Sequence, residues 1–544
     1  MHSSLSSNVP KSKKSSNGNT ASTAIIFLVF LLLRINSSKT YGSVIHVCSS
    51  NSNNFESYCS LEYYANHIPQ ANNTLLILDE GTHILHLNES VRFDSLKNFT
   101  IVGSGISTIT IRKGLNDSSR HRTTIQCIGT SGLFFSNIQG LHMHISGFSI
   151  INCEGTFMND FNSSAALIVR DTSIENVIVK NYTHHGMLGF NIFEFSSIRN
   201  SMFISNVASY YTSAPGSNML LSWFQYAGHG VDNGHYHHCK EIHLLIDSCQ
   251  FINGYGGQNR AGGLHVDYHN SCSASQTVSV IDSIFHGNSG GSLAIVVHQV
   301  NHSNFSSFEL NLIRSYIMGG MRNNTLGSGG LSFIFELNTK LNAVNVTYLS
   351  QYTLVVNDSV FTGNRNNYSS GAIHLNSSLM SWGKLLAVFH NCSFHNNSGY
   401  AGGALGLYLK RGFTNLSLSS CTFDRNLALW GGSILAQTED NPLQKFNATS
   451  FQSAGITMIE LKDCVFQHNV AYENGSVLVI DNSSLDGGSA SLVIINTVIQ
   501  QNKVYDLSNS SQQQANTDAT VILKNTNTVV NNSSFLKNIG SAIN

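Results

Sequence analysis

A short phrase recurs down this chain, and no other feature restricts its fold as strongly. It consists of Asp, Asn or Ser, then Cys or Ser, any residue, Phe, two more residues and Asn, commonly followed by a run such as Gly-Gly-Ala-Leu. It reads Asn391-Cys392-Ser393-Phe394-His395-Asn396-Asn397 before Gly402-Gly403-Ala404-Leu405, and Ser420-Cys421-Thr422-Phe423-Asp424-Arg425-Asn426 before Gly431-Gly432-Ser433-Ile434. A third copy is Asp463-Cys464-Val465-Phe466-Gln467-His468-Asn469 before Gly475-Ser476-Val477. Further copies lie at 200–206, 282–288, 358–364 and 532–538, degenerate ones at 248–254, 314–320 and 496–502, and faint ones near Ile101, Ile150 and Ile178. Successive Phe (or Ile) positions are roughly 25 to 48 residues apart, the period of solenoids whose units bury apolar surface only against their neighbours.

Local chemistry chooses strands over the helical repeats that share this period. Val278 to Phe285, Leu293 to Val297 and Leu492 to Ile495 are short, β-branched runs bounded by Asn, Gly and Ser. Residues two apart in a strand face one side. Cys392 is therefore expected to point inward with Phe394, Cys421 with Phe423 and Cys464 with Phe466. The repeat core is Phe203, Phe251, Phe285, Phe361, Phe394, Phe423, Phe466 and Phe535. The Asn three residues after each Phe is expected at a left-handed corner, and the Gly pair at the next corner, for unusual backbone angles or close packing. Four prolines in 544 residues fit uninterrupted ladders, because proline cannot donate to one. The fold class is all-β: a right-handed parallel β-helix solenoid with an N-terminal cap.

The Phe-x-x-Asn and Gly-Gly-Ala-Leu phrases resemble the repeats of the polymorphic outer-membrane proteins, bacterial adhesins with a β-helical passenger. They are also similar to extracellular pectin-lyase-like β-helix proteins of simple animals. The resemblance covers about residues 75 to 544 and implies an architecture more than an activity. The chain has no C-terminal β-barrel segment of the kind that translocates such passengers, which disfavours a bacterial-type passenger.

Lys11 to Lys14 precede a short apolar run, Ala24 to Leu33, of secretory length, and Thr40-x-Gly42 is a small-residue cleavage site. Residues 1–42 read as a signal peptide or, alternatively, a signal anchor; 43–74 as an N-terminal cap; 75–544 as the β-helix. The chain stops at Gly540 to Asn544, midway into a repeat, and is expected to continue in a longer gene product. Localisation is secreted or on the extracellular face of the cell. The expected glycan acceptors are Asn72, Asn88, Asn98, Asn116, Asn162, Asn181, Asn304, Asn345, Asn376, Asn415, Asn447 and Asn482. Among ten cysteines, Cys48 and Cys59 are expected to close the cap, and Cys239, Cys249 and Cys272 to staple one loop. Cys392, Cys421 and Cys464 share one repeat position and read as stacked small hydrophobes, with a bond between adjacent coils as the alternative.

Catalytic signatures are sparse. The residue before each Cys or Ser runs Ser248, Asp282, Arg314, Asp358, Asn391, Ser420, Asp463, Asn496, Asn532. No two successive copies are acidic, so these read as backbone caps at a strand start rather than stacked catalytic carboxylates. Gly228-His229-Gly230 matches a polygalacturonase tripeptide, but the chain contains no Asp-Asp dipeptide and no Arg-Ile-Lys to accompany it. His235-Tyr236-His237-His238 reads as a solvated loop, and Gly103-Ser104-Gly105 as a turn. No catalytic, cofactor or metal residues are assigned. Tyr210, Tyr211, Trp223, Phe224 and Tyr226, with Tyr400, Tyr408 and Trp430, offer surface for sugars or partners. A net charge of −1 gives no nucleic-acid footprint. Charged residues make up 11% of the chain, far below the roughly 25% of ordinary soluble domains. The expected function is an extracellular or cell-surface module for adhesion, recognition or structure, without catalysis of its own. Its partners would be a carbohydrate or a cell-surface protein, with membrane attachment only through an N-terminal anchor or a further C-terminal segment. The alternative is a polysaccharide lyase or glycosidase acting on uronic-acid-rich polymers.

Overall fold

The computed structural model describes residues 43–49, most of 60–103 and most of 123–539; residues 1–42 and several stretches between strands, among them 104–122, 153–168, 226–240 and 439–455, lie outside the description. The described chain is all-β. Successive repeats visit the sheets in one order, as in Gly383–His390, Ser393–His395, Ser398–Gly399 and Leu405–Leu409 before Phe413–Ser419 begins the next coil. The result is a long sheet of 15 strands, a second of 14, a third of 10 and a fourth of 6, plus one 2-stranded pair. Strands pair in parallel with the equivalent strand one coil away, as Phe361, Phe394, Phe423 and Phe466 do in sequence. Ser43–Val47 pairs with Thr74–Leu78 as the first rung of the long sheet, so part of the expected cap belongs to the ladder itself. A helical turn follows, with Tyr64 N–H donating to Ser60 C=O at 3.2 Å and Leu61 buried in the core. Among the described residues no helix is long and apolar enough to cross a membrane.

The inward face carries the expected column. Phe203, Phe251, Phe285, Phe361, Phe394, Phe423 and Phe466 are each fully buried. Their rings stack nearly parallel, with centroids 4.6 Å apart for Phe394 and Phe423 and again for Phe423 and Phe466. That separation is the inter-strand spacing of a sheet, so one geometry serves backbone and rings together. Ile317 and Ile499 fill the same column where Phe is absent. Phe535, on the last described rung, is only partly buried.

Beside the rings runs a column of small polar residues. Ser283 Oγ accepts from Cys249 N–H at 3.2 Å, Ser315 Oγ from Ser283 N–H at 3.2 Å and Ser359 Oγ from Ser315 N–H at 3.1 Å. Cys392, Cys421 and Cys464 occupy the same place as buried free thiols, each donating to backbone carbonyls such as Val356, Ser419 and Lys462. Cys249 is also a free buried thiol and cannot staple a loop, because the column fixes it inside.

The Asn after each Phe departs from expectation. Asn364, Asn397, Asn426, Asn469 and Asn502 are fully buried, and none has left-handed backbone. Each carboxamide bonds in both directions along the stack. Asn397 Nδ2 donates to Phe361 C=O one coil back and to Asn426 Oδ1 one coil on, both at 3.0 Å. Its Oδ1 accepts from the backbone N–H of Asn364 at 3.1 Å and from Asn364 Nδ2 at 3.0 Å. All four hydrogen-bonding sites of the amide are used. Left-handed backbone falls one residue earlier, at Asn396, Arg425, His468 and Gln501 with φ of 53°, 54°, 55° and 56°. Among the described residues the ladder is interrupted twice. At Gly254 the side chain of Asn218 fills the gap, donating to Asn288 Oδ1 at 3.3 Å. At Gly320 an added Cβ would lie 1.9 Å from Gly329 O, so no side chain fits.

The residues before each Cys or Ser are also left-handed corners rather than strand caps: Asp282, Arg314, Asp358, Asn391, Ser420 and Asp463 all have φ between 47° and 55°. Their side chains pair across coils on the surface. Arg314 donates twice to Asp282 at 2.8 Å, and Asn391 donates to Asp358 at 2.7 Å. In the Gly pair, Gly402 and Gly431 have φ of 76° and 62°, while a Cβ on Gly403 would lie 2.2 Å from Gly432 O. The first glycine thus supplies the backbone angle and the second the close approach.

Replacing Asn426 with Ala orphans amide groups on both neighbouring coils, each costing about 1–3 kcal/mol. Urea unfolding is expected to register that loss, whereas Asn396→Gly, which keeps the left-handed corner, leaves the midpoint nearly unchanged.

Candidate binding face

Once past the buried Asn, five coils make a short strand of the fourth sheet before the chain reaches the third. Arg365–Asn366, Ser398–Gly399, Leu427–Trp430, Val470–Asn474 and Lys503–Val504 form these rungs. Aromatic residues follow in or just after them: Tyr368, Tyr400, Trp430, Tyr472 and Tyr505. Tyr368 is 57% exposed and Tyr400 42%. Tyr400 meets Trp430 edge-on with centroids 5.5 Å apart, and Tyr472 lies 6.2 Å from Tyr505. Trp430 Nε1 donates to the Glu473 carboxylate, which fixes the indole. Neighbouring coils thereby hold a strip of partly exposed rings along the molecular axis.

On three of those coils, the outward residues between Phe and Asn form a charged cluster. Asp424 Oδ1 lies 3.0 Å from His468 Nδ1, and its Oδ2 lies 3.7 Å from His395 Nδ1 and 3.5 Å from Arg425. The carboxylate engages each imidazole through Nδ1, which leaves Nε2 free for a ligand. The cluster and the rings share coils, separated along each only by the fourth-sheet strand. Among the described residues no group of three His, Cys, Asp or Glu side chains is placed to hold a metal.

A second set of titratable groups lies on the outer face of the third sheet, which loops cover. His265 Nε2 meets Asp267 at 3.0 Å, and its Nδ1 accepts from Ala261 N–H at 3.3 Å. Arg260 and His298 approach the same carboxylate at 3.9 Å and 3.6 Å. Burial raises the Asp267 carboxyl, but hydrogen bonds from His265 and His298 and the charge of Arg260 outweigh it and hold the group well below the usual carboxylate range. Burial lowers His265 and keeps it neutral, and with both nitrogens engaged it has no lone pair to offer a substrate. Three rungs along the same column, His374 is 1% exposed and lies against Tyr408, with ring centroids 4.7 Å apart. Burial, and then the charge of Arg322, push it down to about 3.

The expected residues are distributed unevenly. Tyr400 and Trp430 lie in the ring strip, whereas Tyr408 packs on His374. Trp223 and Phe224 are on the strand Met219–Gln225, without described side chains. Tyr210, Tyr211, Tyr226 and the His-rich tract lie outside the described residues. Cys48 is disulfide-bonded, and its expected partner Cys59 lies outside the description. Asn376 ends the third-sheet strand Ile373–Asn376 and is 8% exposed. Asn415 is half-buried and points outward from Phe413–Ser419. Asn98 is on a strand without a described side chain, and the other expected acceptors lie outside the description. Asp424, Arg425, His395 and His468 were not expected. Superposing the two variable positions of every Phe-x-x-Asn copy would have brought them together.

No protein-family model matches the chain, and no curated protein matches it. Among solved structures it is similar to the A-module of the Azotobacter vinelandii mannuronan C-5 epimerase AlgE6, with 10% identity over 85% of this chain and 90% of that one, at a TM-score of 0.23.

His374 makes the fold acid-sensitive. An unfolded histidine takes up its proton near pH 6.5, while the folded ring resists protonation until about pH 3. Stability is therefore complete above pH 6.5 and falls as pH drops, by at most about 1.4 kcal/mol per unit. Denaturant midpoints measured from pH 7 to 4 are expected to follow that fall, and His374→Phe to flatten it.

Proposed function

We propose that the chain is an extracellular or cell-surface recognition module, a right-handed parallel β-helix of the pectin-lyase-like kind, that binds an extended carbohydrate along its fourth-sheet edge without turning it over. The observation that carries this reading is the strip Tyr368, Tyr400, Trp430, Tyr472 and Tyr505. Partly exposed rings, one per coil and held by Tyr–Trp and Trp–Glu contacts, suit the apolar faces of successive sugar units. A cell-surface protein with a matching ridge is the other partner such a strip fits. Residues 1–42 would direct export, as signal peptide or anchor. Residues 43–74 would cap the first coil through a Cys48–Cys59 bond, and Asn415 would carry a glycan on the long sheet.

Catalysis on an acidic polymer is the second reading, favoured by Asp424 with His395, His468 and Arg425 beside the strip. Such a site would need a base, which an Asp-oriented imidazole provides. The buried His265 and Asp267 do not support it, because their bonding capacity is spent internally.

Affinity electrophoresis on immobilised neutral and acidic polysaccharides, with assays for new reducing and unsaturated ends, separates the readings. Retention without new ends is expected, with Trp430→Ala weakening it roughly tenfold, or about 1.4 kcal/mol. Turnover that disappears in Asp424→Asn would instead establish the enzyme, and retention unchanged by Trp430→Ala would remove the strip from recognition.

A further inference from the structure

One buried charge has no counter-charge among the described residues. Arg322 ends the fourth-sheet strand Met321–Arg322 and is 4% exposed. Its Nε donates to Asn324 Oδ1 at 2.8 Å, and a terminal nitrogen reaches Ser332 Oγ at 3.5 Å. The guanidinium packs so tightly on Gly327 that a Cβ there would lie 2.7 Å from its central carbon. Burial alone pulls its pKa down, to about 10, and no carboxylate offsets that effect. A guanidinium stays ionised under these conditions, and a buried ion without a partner of opposite sign is strongly disfavoured.

Two further buried groups on the next strands lack partners. His374 is the register neighbour of Ser332, the residue Arg322 touches. Its Nδ1 lies 2.7 Å from Ser369 Oγ, while Nε2 has no hydrogen-bond partner among the described residues. Ser369 Oγ also lies 3.4 Å from Tyr408 Oη; with that phenol donating to it and Ser369 donating to Nδ1, the ring proton sits on Nε2 and points at no acceptor among the described residues. Ser370 Oγ, likewise unpartnered, lies over Gly406, where a Cβ would be 1.8 Å from it; Gly406 is in turn the register neighbour of His374. A cation from the fourth-sheet strand, an imidazole nitrogen from the third sheet and a hydroxyl from the turn before it thus lie about one part of the third sheet's covered outer face.

We propose that Arg322, His374 and Ser370 bind one small inorganic anion, a halide, buried between the third sheet and the loops that cover it. The ion neutralises the guanidinium and accepts from the imidazole N–H and the serine hydroxyl, two groups otherwise without a partner among the described residues. A halide suits the site because it is monovalent and spherical, and it imposes no donor directions on groups the backbone already holds. The charged cluster at Asp424 differs in the respect that matters: its cations already share a carboxylate.

Thermal unfolding of the full chain at pH 7 in sodium chloride, bromide, formate and gluconate of equal ionic strength tests the assignment. Chloride and bromide are expected to raise Tm over gluconate by roughly 2 °C or more, saturably with concentration. Arg322→Met is expected to remove the difference. Should that variant not fold, His374→Phe is expected to reduce it, and crystals grown in bromide to show an anomalous peak beside Arg322. Equal Tm in chloride and gluconate without a bromide peak overturns the proposal. So does a halide effect that survives in Arg322→Met. Stabilisation by formate but not by halide overturns the halide assignment in favour of a carboxylate.

Discussion

The side-chain amide ladder is the interaction on which the rest of this structure depends. Backbone pairing within a parallel sheet tolerates sliding by a rung, and stacked aromatic rings tolerate some offset. A buried carboxamide with four directional bonds tolerates neither. Asn397 needs Phe361 behind it and Asn426 ahead, both at the rung spacing. Once that is satisfied, the Phe column, the Ser and Cys column and the three flanking sheets all fall into register. Because the amide is internal, the left-handed corner beside it is free of specificity and accepts Asn, Arg, His or Gln.

That freedom creates the surface chemistry. Core positions recur because every coil must match its neighbours, whereas the two residues between Phe and Asn point outward and answer to nothing inside. Across three coils they become His395, Asp424, Arg425 and His468, next to the ring strip. The third sheet treats similar residues oppositely. Loops close over His265 and His374, neutral imidazoles there become structural members, and Arg322, reaching in from the fourth sheet, has no carboxylate partner among the described residues. Similar side chains thus serve the exterior or the frame according to which sheet carries them.

Much of the fold was legible because its strongest signal is chemical and periodic. Phe394, Phe423 and Phe466 announce one column, and Cys392, Cys421 and Cys464 another, with the strand period placing both inside. The Asn column was placed at the corner because a buried amide and a turn amide read alike in a single sequence. Arg425 and Gln501, the true left-handed residues, have no turn propensity to mark them. The site was less legible for a different reason. His395, Asp424 and His468 are far apart in sequence and meet only because coils of unequal length stack in register, with the excess length expelled into loops. Arg322 shares that origin: nothing local marks it as buried.

That expulsion has a direction. Coils differ in length where the third sheet hands the chain back to the long sheet: Leu405–Leu409 is followed by Phe413–Ser419 in one coil, and Ile434–Thr438 by Ile456–Lys462 in the next. The rise from coil to coil is set elsewhere, by amides and rings, so added residues at this joint leave the stack unchanged. Length can therefore be gained or lost along this seam while the rung spacing of the amides and rings stays as it is. The amides and rings act as a ruler and the seam as its margin, and new contacts can be written into the margin without altering the scale.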